Sequence, residues 1–253
     1  KPRLFRLEQD RAVINRMGFN NGGAEAAAAR IAARGNRPGI LGINIGANKD
    51  SADRIADYAA MTRIMAPLAT YLAVNISSPN TPGLRALQDE GALVELLDGV
   101  LEARGPDGPP VFLKVAPDLQ GADVKAITRI AIDKQLGALI VANTTISRPD
   151  LASAHADEAG GLSGAPLKPL ALDILRQFRK ASGGAIPLVG VGGIATAEDA
   201  WERIRAGASL VQLYSAMTYR GPGIAKDICT GLEQLMRRDG FASIADAVGT
   251  EED

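Results

Sequence analysis

The chain has 253 residues, 46% of them hydrophobic, and its 28 Lys+Arg nearly balance 29 Asp+Glu, for a net charge of −1. That describes a soluble globular protein with a sizeable core, and gives no electrostatic ground for nucleic acid or an anionic membrane as partner. The single cysteine, Cys229, excludes an internal disulfide framework and a cysteine-built zinc site, and no apolar run reaches the ~18 residues of a spanning helix.

In chain order, residues 1–15 alternate in polarity and predict a short antiparallel excursion. Six continuous Val/Ile/Leu-rich runs follow, starting at Gly39, Tyr71, Val111, Gly137, Ile186 and Leu210. Continuous apolar runs belong to parallel strands covered on both faces. Between them, Ser51–Met65 and Asp123–Lys134 carry helical spacing, and Leu170–Phe178 follows two prolines that suit a helix start. Thr196-Ala-Glu-Asp199 reads as a capping box opening a helix that Gly207 ends. Arg148–Gly161 is a polar loop, a candidate lid, and its His155 reads as a solvated surface residue. Cys229 falls in an amphipathic last helix, where core packing is the simplest expectation.

The strand–helix repeat predicts an α/β fold with a parallel sheet, in one domain over residues 1–253. The glycines before Thr196, and Tyr214-Ser215 one unit later, suit the phosphate-holding loops after strands seven and eight of a (β/α)8 TIM barrel. On that assignment the six runs are strands three to eight, and the first two βα units are expected to be missing from this sequence.

Polar residues stand where strands should be dry. Asn15, Asn44, Asn75 and Asn143 each lie at or near the carboxyl end of an apolar run. A buried amide without partners costs a few kcal/mol (about 1–3). Either each bonds neighbouring backbone, or the set reads a planar heterocycle carrying NH and C=O groups. Lys114, inside Val111–Ala116, either snorkels at a strand edge or faces an anion such as a reduced flavin ring. Ser78, in the turn after Asn75, is a catalytic candidate; a serine is a poor base and needs a relay, for example through Thr81, and a dry site. Ser163-Gly164, Gly192-Gly193 and Tyr214-Ser215 suit a cofactor phosphate site.

The segments INRMGFNN (14–21), VNISSPNTPGLR (74–85), FLKVAPDL (112–119), ANTT (142–145), GGLSG (160–164), VGVGGI (189–194) and LVQLYSA (210–216) resemble dihydroorotate dehydrogenase. The likeness covers nearly the whole chain and is to the serine-base, quinone-linked class. The resemblance implies oxidation of dihydroorotate to orotate in pyrimidine biosynthesis, with bound FMN and a quinone as final acceptor. It places Ser78 as the base that takes a proton from substrate C5 while hydride leaves C6. Asn15, Arg16, Met17, Gly18, Phe19, Asn75, Asn80, Asn143 and Thr144 fall on substrate positions. Asn44, Asn75, Lys114 and Ala142 fall on flavin-ring positions, and Ala142 stands where many relatives carry Thr. Ser163, Gly164, Gly192, Gly193, Tyr214 and Ser215 fall on the ribityl and phosphate contacts. The family's Ala-Gly-Phe-Asp-Lys segment and its membrane-docking helices are not found in the sequence. The intact protein is therefore expected to be longer, and in a bacterium to sit peripherally at the cytoplasmic face of the inner membrane. Two alternatives stand beside this reading. Another FMN barrel acting on a pyrimidine would typically use cysteine where Ser78 stands. An inactive, phosphate-binding remnant would follow from the missing strands.

Overall fold

The computed structural model describes residues 2–35, 37–80 and 83–251. The chain opens on an antiparallel hairpin, β1 (Leu4–Leu7) and β2 (Ala12–Asn15), with Phe5 opposite Ile14. After α1 (Ala24–Ala33) come four parallel strands: β3 (Gly42–Ile45), β4 (Tyr71–Asn75), β5 (Val111–Val115) and β6 (Ala138–Val141). Helices α2 (Arg54–Met65), α3 (Glu90–Arg104) and α4 (Gly121–Asp133) connect them. The chain then leaves the sheet for β7 (Gly161–Gly164), which pairs with β2, Asn15 opposite Gly161. It returns through α5 (Lys168–Ser182), β8 (Leu188–Val191), α6 (Ala197–Arg205) and β9 (Ala208–Gln212), and ends with α7 (Met217–Arg220) and α8 (Ile224–Arg238). The result is a six-stranded parallel sheet in the order β3-β4-β5-β6-β8-β9 and a three-stranded antiparallel cap.

Alternation within each strand separates two cores. Val111, Leu113 and Val115 of β5 turn outward and are buried against α3 and α4, where Leu96, Leu97, Ile127 and Ile130 wait. Each such side chain contributes about 1.5–3 kcal/mol by leaving water. Phe112 turns the other way and stacks on Tyr71 of β4 with ring centroids 4.5 Å apart, over Ala73, Ile140 and Val189. A Cβ on Gly42 would lie 2.1 Å from the Tyr71 ring, so a side chain there would displace that ring from its stack. The sheet curls around this inner cluster. Gln212 Nε2 reaches the Tyr71 hydroxyl at 3.5 Å although β9 stands four places from β4, about 19 Å in a flat sheet.

The expected strands are present: β4 and β5 start where expected, at Tyr71 and Val111, β3, β6 and β8 start one to three residues later than expected, and β9 starts at Ala208 rather than Leu210, with a register shift between Leu188 and Val189 in its ladder. The Thr196 capping box forms as expected, with Asp199 as its third residue. His155 is exposed, its ring tilted against Phe5. The glycine motif at residues 161–164, just past the polar loop, forms a strand, since β2 offers a free edge to pair with. One expectation is corrected. Cys229 is exposed: α8 buries Ile224, Ile228 and Leu235, and position 229 is turned about 100° from Ile228.

Candidate active site

The carboxyl ends of β4 and β6 meet in one hydrogen-bonded knot. Asn75 is buried, and its Oδ1 accepts from the Ser77 N–H (3.2 Å), the Ser77 hydroxyl (3.0 Å) and Asn143 Nδ2 (3.4 Å). Asn143 Nδ2 also donates to Ser77 Oγ (2.9 Å), while its Oδ1 accepts from the Thr144 N–H (2.8 Å). Ser77, fully buried, thus spends its hydroxyl joining two asparagines. Ser78 differs: its Oγ accepts from the Asn80 N–H at 3.3 Å and has no acceptor for its own proton among the described residues. Asn80 Nδ2 donates to Asn15 Oδ1 at 3.2 Å, which ties the cap to the barrel mouth. Asn75 Nδ2, Asn15 Nδ2, Asn80 Oδ1 and the Thr144 hydroxyl keep unused capacity among the described residues, so they are the groups free to read a ligand.

A cavity of about 1160 Å³ lies beside the knot. It gathers Asn15, Met17, Lys114, Ala142, Asn143, Thr144, Ser163, Gly164, Gly192, Gly193, Tyr214 and Ser215 from the residues the sequence singles out. Lys114 enters it from β5, next to Asn75 in the ladder. Burial holds its ammonium below the ordinary lysine range, and no hydrogen bond or ion pair reaches it among the described residues. A desolvated cation without a partner calls for an anionic ligand.

The far end of the cavity is built from backbone. Ser163 Oγ donates to the Val13 carbonyl (3.2 Å) and accepts from Ser215 Oγ (2.7 Å), which joins β7, β2 and the loop after β9. Gly193 has φ +71°, and a Cβ on it would fall 2.5 Å from Lys168 Cα. The N–H groups of Gly193, Ile194, Ser215 and Ala216 have no internal acceptor among the described residues. The start of α6, by contrast, is closed. Asp199 Oδ2 accepts from the Ala195 (2.8 Å) and Thr196 (3.0 Å) N–H groups, and Thr196 Oγ1 from the Asp199 N–H (3.2 Å). The open amides here are therefore those of the glycine loop before Thr196, because the helix terminus is filled by its own carboxylate.

One ion pair escaped the sequence reading. Arg85 Nε donates to the Ser77 carbonyl (3.2 Å), Nη1 to Asp118 Oδ2 (2.9 Å) and Nη2 to the Thr144 carbonyl (3.1 Å). Asp118 also accepts from the hydroxyls of Thr145 and Ser147. One guanidinium thus clasps the loops after β4, β5 and β6, with the pair's side chains only 22% and 14% exposed. Both residues lie inside quoted motifs, VNISSPNTPGLR and FLKVAPDL. A charge just past a turn at a strand's carboxyl end was the available signal.

Some expected residues stay outside the cavity. Arg16 turns its guanidinium to Glu158 (2.7 Å) and the Ala159 carbonyl, and its N–H donates to the Arg3 carbonyl, so it ties the cap to the polar loop. Gly18 and Phe19 are exposed, the Phe19 ring lying where a side chain on Gly46 would be. Asn44 is exposed on edge strand β3 with no partner among the described residues. Thr81 lies outside the described residues.

Comparison with known proteins gives the family. The family model described as dihydroorotate dehydrogenase matches residues 1–236. The chain belongs to the dihydroorotate dehydrogenase family. It is 73% identical over 251 residues to the dihydroorotate dehydrogenase (quinone) of Erythrobacter litoralis, covering 99% of this chain and 73% of that protein. The dihydroorotate dehydrogenase (quinone) of Novosphingobium aromaticivorans is 72% identical, with the same coverage. The crystal structure of DHODH from Eimeria tenella in complex with ferulenol superimposes with a TM-score of 0.94 at 35% identity, over 98% of this chain and 74% of that one. Its ligand-free form gives 0.94 at 36%, over 100% and 77%. The six parallel strands are accordingly a wall of a dihydroorotate dehydrogenase barrel, of the TIM type.

Proposed function

We propose that the chain is the FMN-binding barrel domain, over residues 1–253, of a quinone-linked dihydroorotate dehydrogenase that oxidises dihydroorotate to orotate in pyrimidine biosynthesis. The observation that carries the site assignment is the unpaired Lys114 ammonium beside an amide-lined mouth, with open loop amides at the opposite end of one cavity. Those features fit FMN: a cation under the ring, and backbone donors for a phosphate. When bound, the flavin supplies the acceptor for the hydride that leaves substrate C6.

The remaining chemistry falls to this chain's side chains. Ser78, buried and with an open proton, takes the C5 proton while its own passes on through a relay such as water or Thr81, and the Asn80 N–H on its Oγ favours the charge that grows there. Ser77 is excluded from that role by its two bonds to asparagines. Asn15, Asn75, Asn80 and Thr144 present donors and acceptors to the ring edges of the substrate, held by the Asn143–Ser77 knot behind them. Lys114 places positive charge where negative charge develops. Among the described residues no helix is long and apolar enough to cross a membrane. A lipid-soluble quinone acceptor implies work at a membrane surface, in a bacterium the cytoplasmic face of the inner membrane.

The test is direct. The intact enzyme, supplied with dihydroorotate and a quinone, should form orotate, and the flavin released on denaturation should be FMN. Release of another flavin, or no orotate from flavin-loaded enzyme, would falsify the reading.

A further inference from the structure

Behind the glycine loop lies a cation that the assigned chemistry does not use. Arg203 of α6 is 1% exposed. Its Nη2 donates to the Lys168 carbonyl (2.7 Å) and the Gly192 carbonyl (3.0 Å), while Nε and Nη1 are buried without partners among the described residues. The carboxylates around it are engaged elsewhere: Asp199 and Glu202 pair with Lys168, and Glu251 with Arg176. Burial draws the Arg203 guanidinium down to about 10, which leaves it charged at neutral pH. Glu202, Asp199 and Glu251 act on Arg203 only through space, so its spare donors are buried with no carboxylate in hydrogen-bond reach, which is costly.

Its position gives it a use. The Gly192 carbonyl and the Gly193 N–H are two ends of one peptide unit, and that N–H is among the open amides of the loop. A cation on the carbonyl oxygen polarises the amide and strengthens the N–H as a donor. We propose that Arg203 is a positioning residue for the flavin phosphate: from behind the loop it orients and polarises the Gly192–Gly193 peptide and supplies positive potential that the phosphate dianion neutralises. This rests on the FMN reading above. It differs from a packing role, for which a neutral side chain bonding the same carbonyls would serve equally.

The experiment compares FMN with riboflavin, which lacks the phosphate, by fluorescence titration of the flavin-free intact enzyme. Unaltered enzyme should prefer FMN; equal affinities would overturn the phosphate reading itself. Arg203→Gln keeps an amide donor for the carbonyls and loses the charge. It should shrink the FMN-over-riboflavin preference about tenfold, with riboflavin affinity changed by less than about twofold. Arg203→Lys, which keeps the charge, should hold the preference within about threefold. An undiminished preference in Arg203→Gln, or an equal loss of both flavins, would overturn the role of Arg203. Should Arg203→Gln fail to fold, a folded Arg203→Lys that binds FMN no better than riboflavin overturns it as well.

Discussion

The two ends of the cavity are built on opposite plans. At the mouth, side chains hold side chains: Asn75, Ser77 and Asn143 satisfy one another, and Arg85 clasps the loops that carry them. At the glycine-loop end, backbone amides are left open and glycines hold the geometry, with a charge placed behind the peptide rather than in the cavity. The first plan suits a ligand read atom by atom, where each side chain's identity matters. The second suits an anion, for which spacing and field matter more than side-chain identity.

Ser78→Ala is the hardest test of that division. It removes one hydroxyl from the mouth and leaves the glycine loop untouched. Flavin reduction by dihydroorotate in stopped flow should slow about a hundred- to ten-thousandfold with FMN content unchanged. Parallel loss of flavin would mean that the two ends are not independent. Arg85→Met comes next, because it cuts the clasp without touching a group in the cavity. Rapid flavin reduction should slow about ten- to a hundredfold, as expected when a reacting group drifts by about an ångström. Orotate affinity, followed by the flavin absorbance shift, should fall less, and a reduction rate at the unaltered level would show that the knot holds without its clasp.

Lys114→Met gives the smallest effect and the most specific sign. In flavin-free enzyme it removes an unpaired buried cation, so Tm should rise by about 2–4 °C, or roughly 1 kcal/mol at this size. Because burial lowers the Lys114 pKa in the folded state, the unfolded chain keeps that proton to higher pH. Stability of the flavin-free protein should therefore climb with pH from the depressed value toward the ordinary ~10.4, and the variant should lack that climb. A Tm that falls on substitution would show Lys114 to be structurally paired.

The parallel wall was legible because both-sided burial writes itself as continuous apolar runs, and the polar interruptions Asn75, Lys114 and Asn143 stood out against them. The cap was half legible. Residues 1–15 alternate visibly, whereas Gly161–Gly164 carries too few side chains to declare itself a strand until β2 is beside it. The knot was legible as a set of asparagines and not as a wiring, since amides 68 residues apart give no sign of which bond they share. Arg85 and Asp118 were hidden for the same reason, and Arg203 more deeply: in a helix ending Trp-Glu-Arg-Ile-Arg, the sequence does not tell the fully buried Arg203 from the half-buried Arg205.

The cap also constrains the order of assembly. Val13 of β2 finds Ser163 only 150 residues later, and the Tyr219 hydroxyl then fastens the strand's start by donating to the carbonyls of Leu7 (3.1 Å) and Ala12 (2.7 Å), more than 200 residues away. Contacts that span so much chain carry a large loop-closure entropy and form late. During synthesis, the strand carrying Asn15 therefore waits for almost the whole chain to emerge, with Ile14 covered only from within its own hairpin, by Phe5 and Leu7, until Leu162 arrives. The cap that carries Asn15 is then closed last, and a chain stopped short of Tyr219 would lack the hydroxyl that fastens it.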